Sequence, residues 1–121
     1  MNKNAGFTLI ELVAIMLILS ILAVVAVPQF VDLRTDARLA ATQGVAGALA
    51  SASSLNYATR SVNSANGVAV VNCTGVSGAL QGGLPTGYVI TAAAIAANAT
   101  VTCTLTGPGG AVATFPAIGI A

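Results

Sequence analysis

Gly6-Phe7-Thr8-Leu9-Ile10-Glu11-Leu12-Val13 opens an apolar run that continues to Val27 and is followed at once by Pro28. In the 21 residues from Phe7 to Val27, only Thr8, Glu11 and Ser20 are polar. As a helix rising about 1.5 Å per residue, the run is roughly 31 Å long, the thickness of a bilayer's hydrocarbon core. Glu11 is its one charge. An acidic side chain at the centre of a membrane span costs on the order of 2.5–3.5 kcal/mol by insertion scales, so Glu11 asks for a partner. A cut after Gly6 would leave a free amine on Phe7, a natural counter-charge. A helix does not easily fold its own terminus onto its first turn, so that amine is expected from a neighbouring chain. Apolar helices would then bundle, and a Glu11–amine pair would set their axial register as a specificity device rather than a large net stabiliser. The plainer alternative is a signal anchor with Glu11 at the interface, where a first-turn acid suits the helix dipole. It leaves the coincidence of Gly6, Phe7, Glu11 and Pro28 to chance.

Working outward, residues 1–6 (Met-Asn-Lys-Asn-Ala-Gly) are short, polar and carry Lys3. An ordinary secretory signal loses its apolar stretch at a small-residue site beyond it. Here the apolar run passes directly into a helical pattern, so the hydrophobic segment is expected to be retained. Pro28 removes a backbone donor and crowds the Val24 carbonyl, predicting a kink around Val24–Pro28. Helix is expected to resume, with Ala37, Ala41, Val45, Ala48, Ala52 and Leu55 on one face of mostly small residues that admit close approach of a helix or sheet. Gly44 and Gly47 each cost about 1 kcal/mol in an isolated helix, which packing must offset. The helix is expected to end near Thr59, before a loop from Ser61 to Gly67.

The remainder reads as strands and loops. Val68–Val71 is a short β-prone run, Gly75–Gly87 a loop, Tyr88–Thr91 a strand, and Ala92–Ala97 ambiguous. Thr100–Thr106 alternates strictly, putting Val101, Cys103 and Leu105 on one face and four threonines on the other. Gly107-Pro108-Gly109-Gly110 is a turn from which Ala111–Phe115 returns antiparallel. One half-buried sheet laid on the helix fits this pattern.

Charge and cysteine use narrow the function. The charged residues are Lys3, Glu11, Asp32, Arg34, Asp36, Arg38 and Arg60, with none beyond Arg60 and no histidine anywhere. An uncharged C-terminal half presents no basic stripe to phosphate, so nucleic-acid binding by its own surface is not expected. General acid–base pairs, triads and metal sites lack parts, so the chain reads as neither an enzyme nor a metal or cofactor binder. Cys73 and Cys103 follow a membrane-targeting segment, where a disulfide is favoured over a metal pair, since zinc takes four ligands. Closing a loop of about 30 residues would contribute roughly 3–4 kcal/mol. Two reduced, buried cysteines are the other reading.

Gly6-Phe7-Thr8-Leu9-Ile10-Glu11-Leu12, with its apolar run and Pro28, resembles the N-terminal signature of type IV prepilins and of the pseudopilins of type II secretion. Residues Pro28 to Arg38 are similar to the mannose-sensitive haemagglutinin branch of pilins. The resemblance covers roughly residues 1–60, about half the chain. It implies an α+β type IV pilin fold, a long kinked N-terminal helix with a small antiparallel sheet on its C-terminal half. The implied organisation is a leader at 1–6, a transmembrane and filament-core helix at 7–27, and the rest of the helix with a β domain at 28–121.

A prepilin peptidase would cut between Gly6 and Phe7 and methylate the Phe7 amine, Glu11 would hold an incoming subunit, and Pro28 would mark where the helix can unwind. The resemblance also implies a C-terminal disulfide, a role that Cys73 and Cys103 would fill, although the 18 residues beyond Cys103 depart from the usual closing loop. The implied product is a structural subunit of a pilus, a helical homopolymer serving adhesion or motility. It would be built by pilus assembly machinery from an inner-membrane precursor and displayed at the cell surface. The alternative is a pseudopilin. Major pseudopilins carry an acidic calcium loop near the C-terminus, whereas residues 61–121 here contain no carboxylate side chain.

Asp32 and Asp36 share a helical face, and Arg34 and Arg38 share another about 200° away. Like charges four apart destabilise an isolated helix by a few tenths of a kcal/mol. The plainer reading is a solvated polar segment; the other is that the acidic face of one subunit meets the basic face of the next. Removal of Lys3 leaves three arginines against three acids, and near-zero charge favours bundling. Asn72-Cys73-Thr74 and Asn98-Ala99-Thr100 fit the N-glycosylation sequon, a pattern common by chance.

Overall fold

The computed structural model describes residues 6–121, without the side chains of residues 29–32. One helix, α1 (Leu9–Val62), carries 54 of the chain's 121 residues. It passes through Pro28 and ends later than the pattern near Thr59 suggested. The chain divides into two compact units, one ending at Arg34 and one formed by Thr35–Ala121.

In the second unit, a three-stranded antiparallel sheet packs on the C-terminal half of α1: β1 (Val89–Ile90), β2 (Thr100–Thr106) and β3 (Val112–Ile118), in that spatial order. This is the α+β arrangement implied by the resemblance. The alternation read in β2 is realised, with Cys103 and Leu105 buried, Val101 partly buried, and Thr100 and Thr102 exposed. β3 pairs with β2 from Thr106↔Val112 to Thr100↔Ile118 and buries Ala113, Phe115 and Ala117. The core joins Leu49 of α1 to Leu105, Phe115, Val70 and Val76. The stretch expected to be loop from Gly75 begins instead with a 3-10 helix, Cys73–Gly78, which buries Cys73 and Val76 three residues apart. Val68–Val71 forms no strand; Val70 alone bridges to Ile120, each amide donating to the other's carbonyl, at 2.7 and 2.9 Å.

The helix face that meets the sheet only borders the small-residue face read from the sequence. Of that face, Val45 packs partly buried against the core and Ala52 is partly buried, but Ala37, Ala41, Ala48 and Leu55 are exposed, whereas Thr42, Ala46, Leu49, Ser53 and Asn56 are buried. The buried face is built around polar groups that find backbone partners. The Thr42 hydroxyl donates to the Arg38 carbonyl at 2.8 Å. Ser53 Oγ accepts the Ile118 amide at 2.9 Å. Asn56 pairs with the Val68 backbone as a strand would, donating at 2.9 Å and accepting at 2.8 Å. Among the described residues no buried side-chain polar atom lacks a partner, which is what makes such a face affordable.

β3 is an edge strand, and its outward side is blunted. Ile118 donates to Ser53, and Pro116, two residues earlier on the same outward side, has no amide to offer. At the head of the hairpin, a Cβ on Gly107 would collide with Thr42 and Tyr88, so the turn lies closer to α1 than any larger residue permits.

Candidate functional site

Gly6, Phe7 and Thr8 precede α1 and are exposed, with Phe7 79% accessible. The Gly6–Phe7 bond therefore lies in non-helical, reachable backbone. A Cβ on Gly6 would meet nothing within 4 Å among the described residues, so the fold makes no demand for glycine there.

Thr8 and Glu11 close the first turn. The Glu11 carboxylate accepts the Thr8 amide at 2.9 Å and the Thr8 hydroxyl at 2.8 Å, both through Oε2. The Glu11 amide donates back to Thr8 Oγ1 at a longer 3.4 Å. This is a capping box, in which a Thr and a Glu three residues apart satisfy amides that the helix itself leaves unpaired. Charge alone points to an amine from another chain or to the helix dipole; the Thr-x-x-Glu spacing is the signal in the sequence for this nearer partner. Among the described residues the second carboxylate oxygen has no donor.

From this turn onward, the apolar side chains of α1 lie open. Leu9, Ile10, Met16, Ile21 and Val24 are each more than 60% exposed, and this part of α1 is long and apolar enough to cross a membrane. Ser20 satisfies its hydroxyl on the Met16 carbonyl at 2.7 Å, so its polarity costs the apolar surface little. Pro28 lies inside α1 and is exposed.

Residues 1–5 of the expected leader and the Asp32 side chain lie outside the described residues. Arg34, Asp36 and Arg38 are exposed on α1. The Arg38 guanidinium leans over the β2–β3 turn, where a Cβ on Gly109 would come within 2.5 Å of it. Cys73 and Cys103 are bonded, with Cα atoms 5.8 Å apart, and tie the 3-10 helix to β2. Asn72 caps that helix, its side chain accepting the Thr74 amide and hydroxyl at 3.1 Å, so the first sequon asparagine has a structural task. An open groove of about 490 Å³ between α1 and β3 is lined by residues such as Gln43, Ala46, Thr114 and Pro116, with no acid, base or thiol.

Residues 1–27 match the family model described as the prokaryotic N-terminal methylation motif. This match supports a prepilin of the type IV pilin or pseudopilin kind. Proteins with this motif are structural subunits processed by a prepilin peptidase and handled by pilus-type assembly machinery. The prepilin match stops before residues 28–38, which carry the resemblance to the mannose-sensitive haemagglutinin branch. No curated protein and no solved structure matches the chain. The apolar helix and the motif fit a membrane-anchored precursor, and the Cys73–Cys103 disulfide fits a pilin.

Proposed function

We propose that the chain is a structural subunit of a type IV pilus, cut between Gly6 and Phe7, methylated on the Phe7 amine, and polymerised through its N-terminal helix into a surface filament serving adhesion or motility. The observation that carries this reading is the prepilin motif leading into a helix whose apolar side chains are exposed among the described residues. A membrane covers them in the precursor; neighbouring copies cover them in the filament. A glycine at position 6 that the fold does not need is accounted for by a peptidase that does. Glu11, with one oxygen held by Thr8 and the other without a partner among the described residues, can take the methylated amine of the next subunit.

Farther along α1, Ala41, Gly44, Gly47 and Ala48 are exposed, and a Cβ on either glycine would meet nothing within 4 Å. Two glycines that weaken the helix without serving the chain's own packing suit close approach by another copy. The experiment is to shear filaments from cells and ask whether this chain dominates them. Dominance supports the pilus. A chain that is processed but stays in the inner membrane turns the reading to a pseudopilin.

A further inference from the structure

Five asparagines lie among the described residues beyond the apolar segment, and four have engaged side chains. Asn56 pairs with Val68, Asn63 accepts the Ala65 amide at 3.0 Å, Asn72 accepts from Thr74, and Asn98 accepts the Tyr57 hydroxyl at 3.1 Å. Asn66 is the exception: its side chain has no hydrogen-bond partner among the described residues. It is exposed, and it is followed by glycine.

We propose that Asn66–Gly67 is a built-in modification site at which the filament subunit or its precursor converts Asn66 to aspartate and isoaspartate. The Gly67 backbone nitrogen, after losing its proton, attacks Asn66 Cγ. The side-chain nitrogen leaves as ammonia and a five-membered succinimide forms. Water then opens either carbonyl, giving Asp or isoAsp. One water is consumed, one ammonia is released, and no oxidant or reductant is needed.

Three features favour this chemistry here. The Gly67 amide has no acceptor among the described residues, although its neighbours on both sides are tied: Asn66 donates to the Asn63 carbonyl at 2.9 Å and Val68 donates to Asn56 at 2.8 Å. The attacking nitrogen is therefore not committed to another acceptor among the described residues. Glycine also leaves the attacking nitrogen unshielded. Finally, Arg60 is anchored on the Ser64 carbonyl at 2.6 Å, two residues from Asn66, where its charge favours both the anionic nitrogen and the carboxylate product.

The fold also prevents escape at position 67. Gly67 has φ +77°, and a Cβ there would come within 2.6 Å of Asn56 Oδ1. The labile pair is therefore retained by the turn that closes α1 onto Val68. Each event adds a negative charge to a mature chain whose arginines and acids balance, so older subunits become distinguishable from new ones by charge.

The test uses the purified full-length protein in detergent micelles, incubated at mildly alkaline pH and followed by peptide mapping that separates Asp from isoAsp. Asn63, Asn72 and Asn98 serve as internal controls. Asn66 is expected to be lost at least about tenfold faster than any of them, giving both products. Asn66→Ser should abolish the early acidic species, and Arg60→Gln should slow its appearance. An Asn66 that survives as long as Asn98 overturns the proposal, and an unchanged rate in Arg60→Gln overturns the part given to Arg60. None of these outcomes depends on whether the chain forms a pilus.

Discussion

One oxygen of Glu11 holds both the amide and the hydroxyl of Thr8, at 2.9 and 2.8 Å. The acid that the assembly reading needs is thus already oriented by its own first turn before any second chain arrives. Fixing it beforehand lowers the ordering cost of an intersubunit pair. Thr8→Val removes the hydroxyl but keeps the amide, and is expected to cost about 1 kcal/mol of first-turn stability. Amide exchange of residues 9–12 in micelles should quicken. Glu11→Gln should leave that exchange nearly unchanged, because an amide oxygen still accepts, yet abolish filament assembly by removing the charge.

Ser53 anchors the edge of the sheet to α1 through the Ile118 amide. Ser53→Ala orphans that buried donor and is expected to cost about 1–2 kcal/mol. Thermal unfolding of the full-length protein should shift down by about 4–8 °C per kcal/mol. Ser51→Ala, which removes an exposed bond to the Gly47 carbonyl, is the control and should leave Tm nearly unchanged.

How much of this was legible in the sequence depends on what kind of residue does the work. The alternation of Val101, Cys103 and Leu105 announced β2 because apolar burial and strand period coincide there. The Thr8–Glu11 turn was legible too, as a spacing of known meaning. The face of α1 was misread because hydropathy treats Thr42, Ser53 and Asn56 as surface. Their burial follows from backbone partners at Arg38, Ile118 and Val68, two of them more than ten residues away in the chain. The Cys73–Gly78 helix escaped for a related reason: it is set by the Asn72 cap and the cystine rather than by any period.

The disulfide closes a separation of 30 residues in the unit that contains the sheet. Loop entropy assigns it roughly 3–4 kcal/mol, a large share of the 5–15 kcal/mol typical of a domain. The double variant Cys73→Ala/Cys103→Ala should show a clearly lower urea midpoint, and the precursor should accumulate poorly. An unchanged midpoint would mean that the core of Leu49, Leu105 and Phe115 holds the unit unaided.

Asp36 and Arg38 are exposed on α1, and Arg38 is braced on the β2–β3 turn. If acidic and basic faces meet between copies, Asp32→Arg with Asp36→Arg should block filament formation. Adding Arg34→Asp and Arg38→Asp should restore part of it, less than fully because Arg38 also covers Gly109. Normal assembly of the one-face swap contradicts the pairing.

The most direct measurement is the intact mass, with N-terminal peptide mapping, of this protein recovered from sheared surface filaments. The account predicts a dominant species that begins at Phe7, carries one methyl group on its amine and lacks residues 1–6. An uncut chain beginning at Met1, held in the inner membrane and absent from the filaments, would contradict it.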